Sequence, residues 1–599
     1  MGGDRGGPAR TVGAVGDTFG RVRCIALCLV AAVATASCAT APGVASVRAD
    51  RPGLAADETD DQVDDAGTLS WGPCAESGSA LGPPIRCATL AVPLDHAEPD
   101  GESIDIELAR IATAAADRRI GSLVLNPGGP GGSGIEFLQS AAVVMPPEIA
   151  EHFDLVSFDP RGVGASTSVD CDVDFDDEIA LLTPGDDDAW QALVDEAEAF
   201  SSTCTPEAVR ISPWLGTNNA ARDLDRVRAA LGDDALSYVG FSYGTRLGAT
   251  YAELFPDRVR ALVLDGAVKP TRDFAELDAE QAASLDRAFE RFADECDADP
   301  DCPLSAIGPT LEVYEELTAT VDASGGIATD DPDRAVTAGE LRLAAIAALY
   351  STQLWPVLAR GLADASTDGD ATVLQALTDS YLGRRPDGSY DDSQSAGLAI
   401  NCADDAERPP PEAVRAQSEE VAERTQWFDD LLRASTGCIG TAPPVDPLTI
   451  GTAEGAAPIL VIGTTGDPAT PYEWAVEMAD SLASAELYTV ESDGHTAFLS
   501  VPCIEPVVAD YLVELIVPAP GGSCSNDAVL DAFPPAGEDE FGGLVAFFDC
   551  LRENGADIPE ITIVDLLADP SGESLFESID PTDPSFGLAV LACEGLIPD

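Results

Sequence analysis

Between residues 104 and 270, short runs of β-branched and apolar residues alternate with longer stretches of helical character. That alternation predicts a mostly parallel sheet wrapped by helices, an α/β fold. The strands it predicts are residues 104–111, 123–125, 155–158, 236–241 and 261–264. Open α/β sheets bind their ligands at the carboxyl ends of such strands, so the loops that follow them are the first places to look for chemistry. From residue 270 to about 398 the pattern turns helical, for example over 274–296 and 338–365, and carries no convincing strand. Strand character returns at 458–462 and 486–490, an amphipathic stretch over 504–517 closes the unit, and Pro518-Ala519-Pro520-Gly521-Gly522 breaks the chain.

These shifts predict a core in two parts, 69–269 and 401–525, with a helical lid inserted over 270–400. Residues 526–599 hold two cysteines of their own and read as a separate small helical module. At the other end, Arg21 and Arg23 precede an apolar run, 24–34, that is too short to span a bilayer as a helix. Residues 1–38 therefore read as an export signal. The run ends Thr35-Ala36-Ser37-Cys38, either a small-residue cleavage site or a lipoprotein site with Cys38 lipidated. Residues 39–68 form an acidic, Ala-, Gly- and Asp-rich linker without periodicity.

Export changes how the cysteines are read. Of 15 cysteines, three lie in the signal, and the remaining even number suggests nearest-neighbour disulfides. The expected pairs are Cys74 with Cys87, Cys171 with Cys204, Cys296 with Cys302, Cys402 with Cys438, Cys503 with Cys524, and Cys550 with Cys593. No CxxC occurs and the three histidines are far apart, so no metal or other cofactor is expected. With 32 Lys and Arg against 106 Asp and Glu, a net charge of −74, nucleic acid and an anionic membrane face are excluded as partners. Membrane attachment is expected only through a lipidated Cys38. At 45% hydrophobic and 23% charged, the chain is neither disordered nor fibrous.

The chemistry starts at Gly240-Phe241-Ser242-Tyr243-Gly244, which follows the 236–241 strand directly and precedes a helix. This is the pattern of a nucleophile elbow, where two residues without Cβ let strand and helix crowd a strained serine. A serine hydroxyl needs a histidine base held by a carboxylate. In chain order the base should follow the serine and the acid, and of His96, His152 and His495 only His495 does so. Asp467, in Gly466-Asp467-Pro468 after the 458–462 strand, is the expected acid; Asp265 and Asp493 are its competitors. For the oxyanion, the expected donors are the N–H groups of Tyr243 and Gly128, the latter in the glycine-rich run 126–134. A P-loop would need Gly-Lys-Ser/Thr, which is absent.

In these motifs the chain resembles the proline iminopeptidase and tripeptidyl aminopeptidase group of α/β-hydrolases, exported actinobacterial members especially. The matching segments are Pro127-Gly128-Gly129-Pro130-Gly131, residues 159–166, the Ser242 elbow, residues 466–471 and Gly494-His495-Thr496. They run in order through residues 70–525. Pro127 replaces the family's first histidine in that glycine motif, as proline often does in the tripeptidyl branch, so only backbone donation carries over. The resemblance implies an α/β-hydrolase fold with a C-terminal region like that of the tripeptidyl enzymes. It also implies a secreted or envelope-anchored protein that cleaves short units from peptides with a free N-terminus. A carboxylate should then meet the substrate ammonium, and Asp404, in an acidic turn after the lid, is the candidate; a solvated acidic loop is the alternative. Arg161 is expected to organise a loop. Two other readings stay open: an esterase or amidase on the same scaffold, and a non-catalytic envelope-binding protein.

Overall fold

Residues 85–93 alternate buried and exposed side chains, and they form an edge-side strand, β1 (Ile85–Pro93), antiparallel to β2 (Ser103–Ile111). In this computed structural model the described residues are 69–74, 84–173, 187–271, 274–385, 387–429, 436–526, 533, 540–553, 558–559, 561–568 and 593. The expected signal and linker lie outside them. Next come β3 (Gly121–Asn126), β4 (Phe153–Phe158) and β5 (Leu236–Phe241), in which every side chain is buried, as strands covered on both faces must be. With β6 (Val259–Asp265), β9 (Ile459–Gly466), β10 (Ala485–Asp493) and β11 (Gly522–Ser525) they make one sheet of order β1-β2-β4-β3-β5-β6-β9-β10-β11. From β4 to β11 all pairings are parallel, so the carboxyl ends of β3, β5, β6, β9 and β10 share one rim.

Two apolar layers sandwich the sheet. Tyr238, Leu262 and Leu264 face one, with Leu224 and Val227; Val239, Val263 and Leu125 face the other, with Leu138 and Val508. β1 and β11 were not predicted. β11 is Gly-Ser-Cys-Ser, whose strand state comes from pairing with β10 beside the Cys503–Cys524 bridge rather than from its own side chains.

A third apolar cluster belongs to the helices after β6: α1 (Phe274–Ala298), α2 (Thr310–Ser324), α3 (Ala338–Leu349), α4 (Trp355–Thr367) and α5 (Thr372–Leu382). Three expectations are corrected in this region. A short hairpin, β7 (Ile327–Ala328) with β8 (Ala335–Val336), interrupts the helices. The stretch read as one helix, 338–365, is broken at Tyr350–Leu354. Helical structure also passes residue 400 without a boundary, through α6 (Ser393–Asp404) to α7 (Pro411–Ala422).

The described residues of the tail are not separate in their packing. Phe533 and Leu567 are buried in the helical layer's own cluster, the Phe533 ring lies 6.1 Å from that of Phe292, and α8 (Ile563–Ala568) rests on α5.

Disulfides join Cys74 to Cys87, Cys171 to Cys204, Cys296 to Cys302, Cys402 to Cys438, Cys503 to Cys524, and Cys550 to Cys593. Such bridges persist in oxidising compartments and mark an extracytoplasmic protein. Among the described residues, no helix is long and apolar enough to cross a membrane.

Arg161 is fully buried and paired on two nitrogens with Asp223 at 2.6 and 2.7 Å; its other donors reach the carbonyls of Pro93, Leu94 and Trp214. His96 completes this knot, 2.9 Å from Asp223. Burial works to raise the Asp223 pKa, but Arg161 and His96 outweigh it and hold the carboxyl below its usual range. Asp223→Asn strands the guanidinium in a dry site. Urea unfolding should show a loss of ~3 to 5 kcal/mol.

Candidate active site

β5 runs directly into Ser242, and the helix Tyr243–Leu254 begins at the next residue. So abrupt a reversal drives the serine to φ 54° and ψ −123°, a strained conformation for a residue with a Cβ. The elbow is held from both sides. Ser242 N–H donates to Asp265 O at 2.9 Å, and Thr245 donates to Ser242 O through N–H and Oγ1 at 2.9 and 2.6 Å. The flanking glycines are sterically required: a methyl on Gly240 would run into the Gly244 carbonyl, and one on Gly244 would lie 2.8 Å from Asn126 Oδ1.

His495 lies just past β10, and its Nδ1 meets Asp467 Oδ1 and Oδ2 at 2.9 and 3.0 Å. Asp467 is 2% exposed, and its carboxylate also accepts from Ala469 N–H, Thr470 N–H, Thr470 Oγ1 and Thr496 N–H at 2.7 to 3.2 Å. Burial by itself lowers the His495 pKa. The charge and hydrogen bond of Asp467, with the charge of Asp265 behind them, outweigh it and leave the imidazole above its usual value. Among the described residues the ring's hydrogen bonds are all at Nδ1, to Asp467 and Thr470, which leaves Nε2 open.

The serine and the histidine each lie against the end of β6. Asp265 takes the Ser242 N–H, and a methyl built on the next residue, Gly266, would stand 3.3 Å from His495 Cε1. Ser242 Oγ and Nε2 are not in hydrogen-bonding geometry with each other here, a contact that in hydrolases often tightens only with substrate. Of the competitors, Asp493 is paired with Arg291 Nε at 2.5 Å, and Asp265 faces the backbone beyond His495. His96 sits in the Arg161 knot, and His152 Nδ1 lies 2.6 Å from Glu148 O, at the amino end of β4.

The glycine loop after β3 lies over the elbow. A methyl on Gly128 would strike Phe241 O and stand 3.0 Å from both Ser242 Cβ and Tyr243 N. Tyr243 is the first residue of its helix, so its N–H has no intrahelical acceptor. Gly128 N–H, however, donates to Asn126 Oδ1 at 3.2 Å, whereas Gly129 N–H finds no acceptor among the described residues.

Asp404 departs from expectation more sharply. It ends α6 rather than occupying a turn, is 1% exposed, and takes Thr217 N–H and Oγ1, both at 2.6 Å, with Arg246 Nη1 at 3.7 Å. Thr217 Oγ1 in turn lies 2.8 Å from the Tyr243 hydroxyl. Both carboxylate oxygens are spent inside the protein, so Asp404 anchors α6 beside the elbow and offers nothing to a substrate ammonium. The other end of α6 supports the glycine loop, since a methyl on Gly397 would lie 2.6 Å from Pro130 O.

Sequence reasoning missed Tyr350. At the break between α3 and α4 its carbonyl accepts His495 N–H at 2.8 Å, and its ring stands edge-on to the imidazole with centroids 5.1 Å apart. The helical layer is thus fastened to His495 as well as lying over the rim. Gly494, at φ 99°, allows the approach: a methyl there would stand 3.3 Å from Tyr350 O.

Known proteins resemble this chain over most of its length. The α/β hydrolase fold family matches residues 121–502. A protein named serine protease Hip1 of Mycobacterium tuberculosis is 37% identical over 478 residues, covering 76% of this chain and 91% of its own. Carboxylesterase B of the same species is 33% identical, covering 76% and 90%. Tripeptidyl aminopeptidase of Streptomyces coelicolor is 30% identical, covering 74% and 84%. With a family match that spans the sheet from β3 through the His495 loop, the chain belongs to the α/β-hydrolases and is a serine hydrolase.

Proposed function

We propose that this protein is an exported serine peptidase that releases short peptides from free N-termini through an acyl-enzyme. The observation that carries the reading is the His495–Asp467 pair set beside a strained serine at the rim of the sheet. Ser242 Oγ attacks the scissile carbonyl while His495 Nε2 takes its proton, and Asp467 fixes the tautomer and stabilises the imidazolium. The developing oxyanion is received by the N–H groups of Tyr243 and of the glycine loop after β3, each worth ~3 to 4 kcal/mol of barrier. His495 then protonates the leaving amine, and water repeats the sequence to release the acyl group.

Free N-termini as substrates, and release in threes, rest on the similarity to the tripeptidyl aminopeptidase. Residues 1–38 act as the export signal, with Cys38 either lipidated or removed with it. The described part of the tail, through Phe533 and the helix Ile563–Ala568, docks on the lid. A second reading, esterase activity, is favoured by the carboxylesterase relative. A panel of tripeptide and single-residue anilides, with free and blocked N-termini, beside short acyl esters, separates the two. The proposal expects cleavage of free-N-terminal tripeptide anilides and loss of cleavage on blocking. Ester turnover alone would contradict it.

A further inference from the structure

Asp265 is a buried carboxylate that the steps above do not use. It is 0% exposed at the last position of β6, and Phe498 N–H and Ala497 N–H donate to its Oδ2 at 2.7 and 3.0 Å. Its own carbonyl takes the Ser242 N–H. One residue therefore grips the nucleophile's backbone with its main chain and the turn behind the base with its side chain. That turn is under strain, since Thr496 and Leu499 sit at φ 65° and 76°, the left-handed region that residues with a Cβ avoid. Asp467 restrains the turn at Thr496 N–H, and Asp265 restrains the next two N–H groups.

An amide would satisfy an N–H at less cost than an ion, because burying a carboxylate costs several kcal/mol. What an ion adds is charge. The titratable groups facing Asp265 are Asp467 and His495. Its negative charge opposes that of Asp467 and favours protonation of His495. Burial above all, with Asp467 adding to it and the two backbone donors and His495 opposing, pushes the Asp265 carboxyl up to about 7.

We infer that Asp265 is a positioning residue of the relay: it locks the turn 496–498 to the Ser242 elbow and so sets the direction in which His495 presents Nε2 to the serine. The inference rests on the reading of Ser242 and His495 as nucleophile and base. A 1 Å error in such alignment costs up to about 100-fold in rate.

The test is Asp265→Asn in the full mature chain, with Asp265→Ser as a second variant should the amide fail to fold. The readouts are kcat and KM on the best anilide, the pH profile of kcat/KM, and the rate of fluorophosphonate labelling. The folded variant is expected to lose roughly 10- to 100-fold in kcat with KM little changed. Its acid limb should change shape, because the wild-type profile carries the titration of Asp265 near 7 together with that of His495, and the variant's carries His495 alone. A purely structural role would lower the amount of active protein without altering that limb. A folded variant with wild-type kcat and limb overturns the inference. Were wild-type protein itself unlabelled, the nucleophile assignment would have failed instead.

Discussion

Ser242→Ala is expected to lower kcat for the best peptide anilide by about a million-fold, with KM nearly unchanged and the fold intact. The size follows from the design of the site. Ser242 stands at the elbow at φ 54° with its backbone pinned to Asp265 and Thr245, and the acyl-enzyme forms on its Oγ. The oxyanion donors and the binding surface survive the change, so a residual rate above water should persist. The substitution also removes no buried contact, which makes a melting temperature near that of the wild type the proper control.

Asp467→Asn should lower kcat by about ten-thousand-fold. The carboxylate accepts only, so it requires His495 to carry its proton on Nδ1 and to leave Nε2 bare as the base. An amide can present its NH₂ to Nδ1 and favour the opposite tautomer. It also withdraws an acceptor from the N–H groups of Ala469, Thr470 and Thr496. The pH dependence has a definite sign. His495 must be neutral to act, so wild-type activity falls as pH drops through its raised pKa. Without the Asp467 charge the depressing effect of burial gains, the pKa falls, and the acid limb moves to lower pH. The kcat/KM profile measures this directly.

Much of this site was legible because it is written locally. A glycine-flanked serine between an apolar strand and a helix leaves few alternatives, and three histidines allowed elimination by chain order. Strands β3 to β6 are short apolar runs buried on both faces, and such runs announce themselves. What was not legible depends on distant partners. The break after α3 is marked by Ser351 and Pro356, which the helical reading of 338–365 passed over, and it frees the Tyr350 carbonyl for His495. Asp404 looks like any acid of a net −74 chain until α6 carries it against Thr217 and Arg246. The Gly128 N–H reaches the Asn126 side chain, a contact that the letters alone do not show. The tail's cysteines suggested independence, while Phe533 and Leu567 bury themselves in the helical layer.

Asp265 shows the same limit in a sharper form. As a sequence position it was a rival for the acid of the relay, since it ends a predicted strand just before the lid. Only the direction of its carboxylate, toward the backbone of Ala497 and Phe498 while Asp467 holds Nδ1, divides the two roles.

The most direct measurement is fluorophosphonate labelling of the purified mature protein beside Ser242→Ala and His495→Gln, with the modified peptide mapped by mass spectrometry. One label on Ser242, lost in the first variant and slowed by orders of magnitude in the second, is the predicted result. A well-folded protein that takes no label, or takes it at another residue, would contradict the account.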